Sequence, residues 1–190
     1  LQKAGIVVFH GRACFTAPDR IAIDERELTS RHFVIATGAA PKELGIPGES
    51  LVIDSTAFLE LPNLPRRITF CGAGYISLEF AHLARRAGAE VVVLSRGVPL
   101  PAFDHAVVER LITYSREIGI DIRLDAPVTG VERVPASPAL RVHAGKGASA
   151  CIIETDLVVH GAGRAPNTSH IGAREGHIEL EPHGAVRVNE

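Results

Sequence analysis

The stretch from Arg67 to Leu94 constrains this chain more than any other, because it reads without interruption as strand, glycine turn, helix and strand. Arg67 to Cys71 is a short β-prone run, and Gly72-Ala73-Gly74 follows it at once. Ile76, Phe80, Leu83 and Ala84 then recur at helical spacing until Gly88, and Glu90 to Leu94 is nearly all apolar, as a buried parallel strand should be. The pattern predicts a βαβ unit and an α/β fold. In such a unit the first glycine permits the sharp turn and the second lets a pyrophosphate approach the backbone. The start of the helix adds free N–H groups and a partial positive charge. Ser77 stands where a third small residue is needed to keep the helix close to the strand. A plain crossover with a glycine turn is the alternative, and the strand and helix placed on either side of the turn favour dinucleotide binding.

Composition narrows the choice further. The chain has 190 residues, 46% hydrophobic and 22% charged, with a formal net charge of −2, so nothing electrostatic points to nucleic acid or a membrane surface. No apolar run approaches the length of a membrane span. The cysteines stand at 14, 71 and 151 without CxxC spacing, which excludes a disulfide scaffold and favours a reduced, cytoplasmic setting. Nine histidines include no HxxxH and no cluster with cysteine, so no metal site is expected. The chain lacks methionine and opens in mid-pattern, and it is expected to be an excised piece of a longer protein.

Before the central unit, Gly5 to Phe9 reads as a strand, and the segment from Phe15 to Glu27 as small antiparallel strands with polar turns. His32 to Ala36 reads as a buried strand running into Thr37-Gly38, and Ala39 to Ser50 as a connection without elements. Thr56 to Glu60 is a helical turn. After the central unit, a helix runs from Asp104, its N-cap, to Glu117, with Val107, Val108, Leu111 and Ile112 as its apolar set. Ile120 to Leu124 is a third strand. Val128 to Val134, Leu140 to Ala144 and Cys151 to Thr155 form a β-meander, and Leu157 to His160 is another buried strand. Two stretches echo each other: Phe33 to Pro41 and Leu157 to Pro166 are both buried strands opening into glycine-containing crossovers with a proline. They suggest a chain that leaves one nucleotide domain, builds a second and returns.

With Ala36-Thr37-Gly38, Gly72-Ala73-Gly74-Tyr75-Ile76-Ser77-Leu78-Glu79 and Gly163-Arg164-Ala165-Pro166-Asn167-Thr168 in this order, the chain resembles the pyridine nucleotide-disulfide oxidoreductases. That flavoprotein family includes glutathione reductase, mercuric reductase and dihydrolipoamide dehydrogenase. The resemblance implies an FAD/NAD(P)-binding, Rossmann-like three-layer fold of parallel sheet, helices and β-meander, with part of a second nucleotide domain. It assigns residues 1–43 and 157–190 to a partial FAD domain and 44–156 to the NAD(P)-binding domain. It further implies that the first FAD fingerprint, a redox CxxxxC and a dimerisation domain lie outside this stretch, so that the piece alone holds no FAD tightly and is inactive. The full-length protein is then a homodimer.

Carried over by residue, the resemblance makes Gly72, Ala73, Gly74 and Ile76 the cradle of the nicotinamide dinucleotide. Tyr75 becomes the aromatic that shields the flavin face, and Glu79 the acid near the nicotinamide carboxamide. Thr37 and Gly38 skirt the FAD, Gly11 and Ala13 lie beside its adenine, and Gly163 and Arg164 lie near both cofactors. His160 departs from the family pattern and receives no role. The second strand ends Leu94-Ser95-Arg96: Ser95 replaces the acid that NAD-binding units use, and Arg96 offers a guanidinium to a 2′-phosphate, which favours NADP over NAD. A second cation is absent from Gly97 to Ala102. A ferredoxin-reductase or NADH-oxidase type of flavoprotein, and a non-catalytic dinucleotide sensor, are the other readings.

Overall fold

The computed structural model describes residues 2–189. In chain order its strands and helices are β1 (Ala13–Ala17), β2 (Arg20–Ile23), β3 (Arg26–Thr29), β4 (Ala39–Pro41), α1 (Ser55–Leu59), β5 (Arg67–Cys71), α2 (Tyr75–Arg86), β6 (Glu90–Leu94), α3 (His105–Glu117), β7 (Ile120–Arg123), β8 (Val128–Arg133), β9 (Leu140–Ala144), β10 (Cys151–Thr155), β11 (Leu157–His160) and β12 (Arg164–Pro166). The chain divides into two compact units, Leu1–Ala40 with Arg164–Glu190, and Pro41–Gly163. The expected limits lay after 43 and 156. The second unit runs on to Gly163 because β11 hydrogen-bonds along β5, in register from Leu157 opposite Ile68 to His160 opposite Cys71.

The second unit carries a four-stranded parallel sheet of order β11-β5-β6-β7, so the sequence-predicted βαβ unit lies at its centre. β5 buries four of its five residues and β6 three, as the apolar runs require of strands covered on both faces. One face is covered by helices. α2 lays Ser77, Leu78, Ala81 and Ala84 on the sheet, and the small side chains let its backbone come close. α3 starts at Asp104, whose carboxylate accepts hydrogen bonds from the Ala106 and Val107 amides, and it buries Val108, Ile112 and Ser115. Phe58, from α1, stacks on Phe80 and meets Phe70 edge-on at 5.7 Å. The β10-β9-β8 meander covers the other face, building a second core from Val131, Leu140, Val142 and Ile153 with Cys71, Leu94 and Val158.

Leu83 and Val107, read from the sequence as core-facing, are 58% and 64% exposed. A helix resting on a sheet buries a single stripe, and here the small residues at 77, 81 and 84 occupy it.

In the first unit, β1, β2 and β3 form an antiparallel sheet, and β12 pairs with β4, so the far ends of the two stretches that echo each other in sequence are hydrogen-bonded together. β4 lies within the segment from Ala39 to Ser50, expected to hold no element, and in the second unit a 3-10 turn at Glu49–Leu51 begins at its end. The strands expected at Gly5 to Phe9 and His32 to Ala36 are absent, and neither segment pairs with another among the described residues. Val34 is 92% and Val7 72% exposed. An apolar run becomes a buried strand only where another strand pairs with it and a further layer covers it, and neither segment has a paired strand among the described residues. Phe33 instead packs edge-on against Phe15 at 5.0 Å.

Candidate functional site

Because β11, β5, β6 and β7 run parallel, their carboxyl ends open on one edge of the sheet. The Gly72 turn, Ser95-Arg96 and Gly161 to Gly163 all leave from that edge, where open α/β sheets bind ligands. The turn is anchored by the Gly72 amide, which donates to the Leu94 carbonyl at 2.7 Å. Gly72 has φ 98°, and a Cβ there would lie 2.7 Å from the Gly161 oxygen and 2.7 Å from Ala162 Cα. Only glycine combines that backbone angle with that approach.

Gly74 is the N-cap of α2, and no side chain caps it. The first bond inside the helix is Leu78 N–H to the Gly74 carbonyl, so the amides of Tyr75, Ile76 and Ser77 have no intrahelical partner. The helix therefore offers an anion an uncapped positive end. Ser77, at the third small position, is fully buried, and its hydroxyl has no hydrogen-bond partner. It packs against Gly161, where a Cβ would collide with Ser77 Oγ. The tight spot thus lies between the helix and the β11 crossover.

Beside the turn, Ser95 is buried and donates its hydroxyl proton to the Gly97 carbonyl at 2.8 Å. It closes the strand-end turn and presents no carboxylate to a ribose. Arg96, next in the chain, is exposed and makes no hydrogen bond or ion pair among the described residues. Tyr75 and Glu79, one helical turn apart, are also exposed, and they line a groove of about 840 Å³ between α2 and α3 with Leu83, Phe103 and Val107. Sequence reasoning missed this groove because it treated Leu83 and Val107 as core.

His160 ends β11, buried, with both ring nitrogens engaged. Nε2 lies 2.6 Å from the Lys42 carbonyl, and Nδ1 accepts from the Ala162 amide at 3.2 Å. One signal was available in the sequence: a polar residue closing an apolar strand must find partners. Of the other expected site residues, Gly163 accepts from the Lys42 amide at 3.1 Å. The remainder belong to the first unit. There Arg164 Nη2 donates to the Ala39 carbonyl, and Asn167 donates to the Gly38 carbonyl at 2.9 Å and the Thr37 carbonyl at 3.4 Å. Gly11 packs on the β2–β3 turn, where a Cβ would lie 2.6 Å from Asp24 Oδ2, and Ala13 opens β1 opposite Ile23. Cys14, Cys71 and Cys151 are free; burial pushes the Cys71 thiol up to about 12, which leaves it inert. No helix among the described residues is long and apolar enough to cross a membrane.

A family model described as pyridine nucleotide-disulphide oxidoreductase matches residues 1–190. The chain is 34% identical over its whole length to glutathione reductase of Burkholderia cepacia, covering 41% of that protein. It is 30% identical to the mitochondrial dihydrolipoyl dehydrogenase of Pisum sativum, covering 39% of it. Among solved structures, the HOCl-induced flavoprotein disulfide reductase RclA of Escherichia coli superposes with a TM-score of 0.84 at 28% identity, over 94% of this chain and 41% of that one. The chain thus spans about two fifths of the length of these relatives.

Proposed function

The chain belongs to the pyridine nucleotide-disulphide oxidoreductase family, and from that premise we propose that Pro41–Gly163 is its nicotinamide-dinucleotide-binding module, with NADPH preferred over NADH. One observation carries the reading: the uncapped start of α2 at the Gly72–Gly74 turn lies beside a strand tip whose exposed Arg96 has no partner among the described residues. The amides of the first helical turn would take the pyrophosphate, and the dipole of a twelve-residue helix adds to their pull. At the neighbouring tip a 2′-phosphate meets a guanidinium, and the hydroxyl that replaces the acid does not repel it.

What supports a dinucleotide is the set of free amides at the start of α2 for the diphosphate, an exposed cation for the ribose end, and exposed Tyr75 and Glu79 one turn apart on the helix for the nicotinamide end. In the full-length protein FAD would supply the acceptor for the nicotinamide hydride. This chain's share is to hold the donor ring in place, with Tyr75 as its aromatic cover and Glu79 beside the carboxamide. The first unit would form part of the FAD domain, with Thr37 and Gly38 skirting the flavin nucleotide, Gly11 and Ala13 at its adenine and Arg164 near both cofactors. On this reading the chain alone is inactive, and the whole protein is a cytoplasmic homodimer.

Titration of the chain with NADPH and with NADH, followed by the nicotinamide's own fluorescence, tests the assignment. Tighter binding of NADPH supports it. Binding of neither removes the module reading, and tighter NADH binding removes the NADP preference.

A further inference from the structure

His160 has no assigned part in this chain, yet it sits where the cradle is supported. The Ala162 amide donates to Nδ1, so Nδ1 carries no proton; the Lys42 carbonyl can only accept, so Nε2 must donate. The two bonds together fix a neutral imidazole in the Nε2–H tautomer. They also join the chain's entry into the second unit, at Lys42, to its exit at Ala162, where the Lys42 amide adds a bond to the Gly163 carbonyl.

That exit is the surface on which the glycine turn rests. A Cβ at Gly72 would touch Gly161 O and Ala162 Cα at 2.7 Å, and one at Gly74 would lie 3.3 Å from Gly161 O. The Gly161 amide is held by the Cys71 carbonyl at 2.8 Å, but the following peptide has His160 Nδ1 as its tether. Fixing Ala162 therefore fixes one wall of the turn that positions the α2 amides.

We propose that His160 is a positioning residue for dinucleotide binding: its imidazole acceptor holds the Gly161–Ala162 backbone against the Gly72–Gly74 turn. This rests on the reading of that turn as the dinucleotide cradle. The side chain touches no ligand atom in this account, and it acts through the Ala162 amide.

Asparagine and glutamine separate the two bonds. An asparagine oxygen reaches the place of Nδ1 and can accept from Ala162, whereas a glutamine amide reaches the place of Nε2 and can serve only Lys42. In the purified chain, His160→Phe and His160→Gln should each weaken NADPH binding by about tenfold, while His160→Asn stays within about threefold of wild type. Amide hydrogen exchange at Ala162 should quicken in the first two variants and stay slow in the third. Wild-type affinity in all three variants, or an asparagine variant as weak as the phenylalanine one, overturns the proposal. If His160→Phe does not fold, nitrogen-15 shifts of the wild-type imidazole still decide: the Nε2–H tautomer supports the proposal, and an Nδ1–H tautomer or an imidazolium at neutral pH overturns it. Wild-type chain that binds neither NADPH nor NADH takes down the cradle reading itself, an outcome distinct from variants that bind normally.

Discussion

Arg96 is the side chain on which the cofactor choice turns. Its charge has no internal partner among the described residues, and Ser95, turned inward to the Gly97 carbonyl, leaves the strand tip without an acid. Charge reversal tests this directly: Arg96→Glu should weaken NADPH binding by at least about tenfold and leave NADH within about threefold, read by parallel fluorescence titrations. Ser77 poses a different question. A fully buried hydroxyl without a partner is a cost the fold carries, so Ser77→Ala should raise stability by about 1 kcal/mol, measured by denaturant unfolding. On the facing side of the same contact, Gly161→Ala drives a methyl into Ser77 Oγ and should lower stability by about 1–3 kcal/mol. If Ser77→Ala is destabilising, the hydroxyl has a partner that the packing does not reveal.

Among elements, β5 owes its place to one charged pair as well as to its apolar faces. Asp156 accepts from the Arg67 backbone amide at 2.9 Å and from its guanidinium Nε at 3.1 Å, tying the start of β5 to the turn between β10 and β11. The guanidinium hydrogen bonds hold the Asp156 carboxyl below its ordinary value of 3.8 and raise the Arg67 value. A depressed carboxylate gives stability that is present above the ordinary value and lost as pH falls through the folded one. Wild-type melting temperature should therefore drop between about pH 5 and pH 2 more steeply than that of Asp156→Ala. At neutral pH the variant should be less stable by about 1–2 kcal/mol, discounted for side chains about a third exposed. Equal slopes would remove the pair from the account. Such a tie could not be read in the sequence, because it joins residues 89 apart. The βαβ unit was legible since its periodicity and glycines are local, and so was the Asp104 cap. The outward face of α2 was not: Leu83 satisfies the helical period as well as Ala84 does, and only the sheet beneath decides between them. Likewise, the site's backbone turn could be read from Gly72 and Gly74, whereas the bond of His160 Nε2 depends on Lys42, 118 residues away.

At the scale of the whole molecule, the two units are unequally finished, and their stability should differ accordingly. Pro41–Gly163 has a sheet covered on both faces, with Phe70, Val93, Val142 and Val158 fully buried. In the other unit, Ile6 to Phe9 and Val34 stand open to solvent, in segments that bond no neighbouring strand among the described residues. Native-state hydrogen exchange should therefore find the amides of Ile68–Cys71 and Val91–Leu94 strongly protected, and those of Ile6–Phe9 and Phe33–Ala36 exchanging near the unstructured rate. The same contrast bears on cofactor binding. The segment that leads into Thr37 and Gly38 pairs with no strand among the described residues, whereas the glycine turn of the second unit rests on a closed core. The purified chain should then bind NADPH and show no stoichiometric flavin absorbance after incubation with FAD and desalting. Retention of flavin, or strong protection across Phe33–Ala36, would show that the first unit is complete as it stands and would overturn the proposed inactivity of the isolated chain.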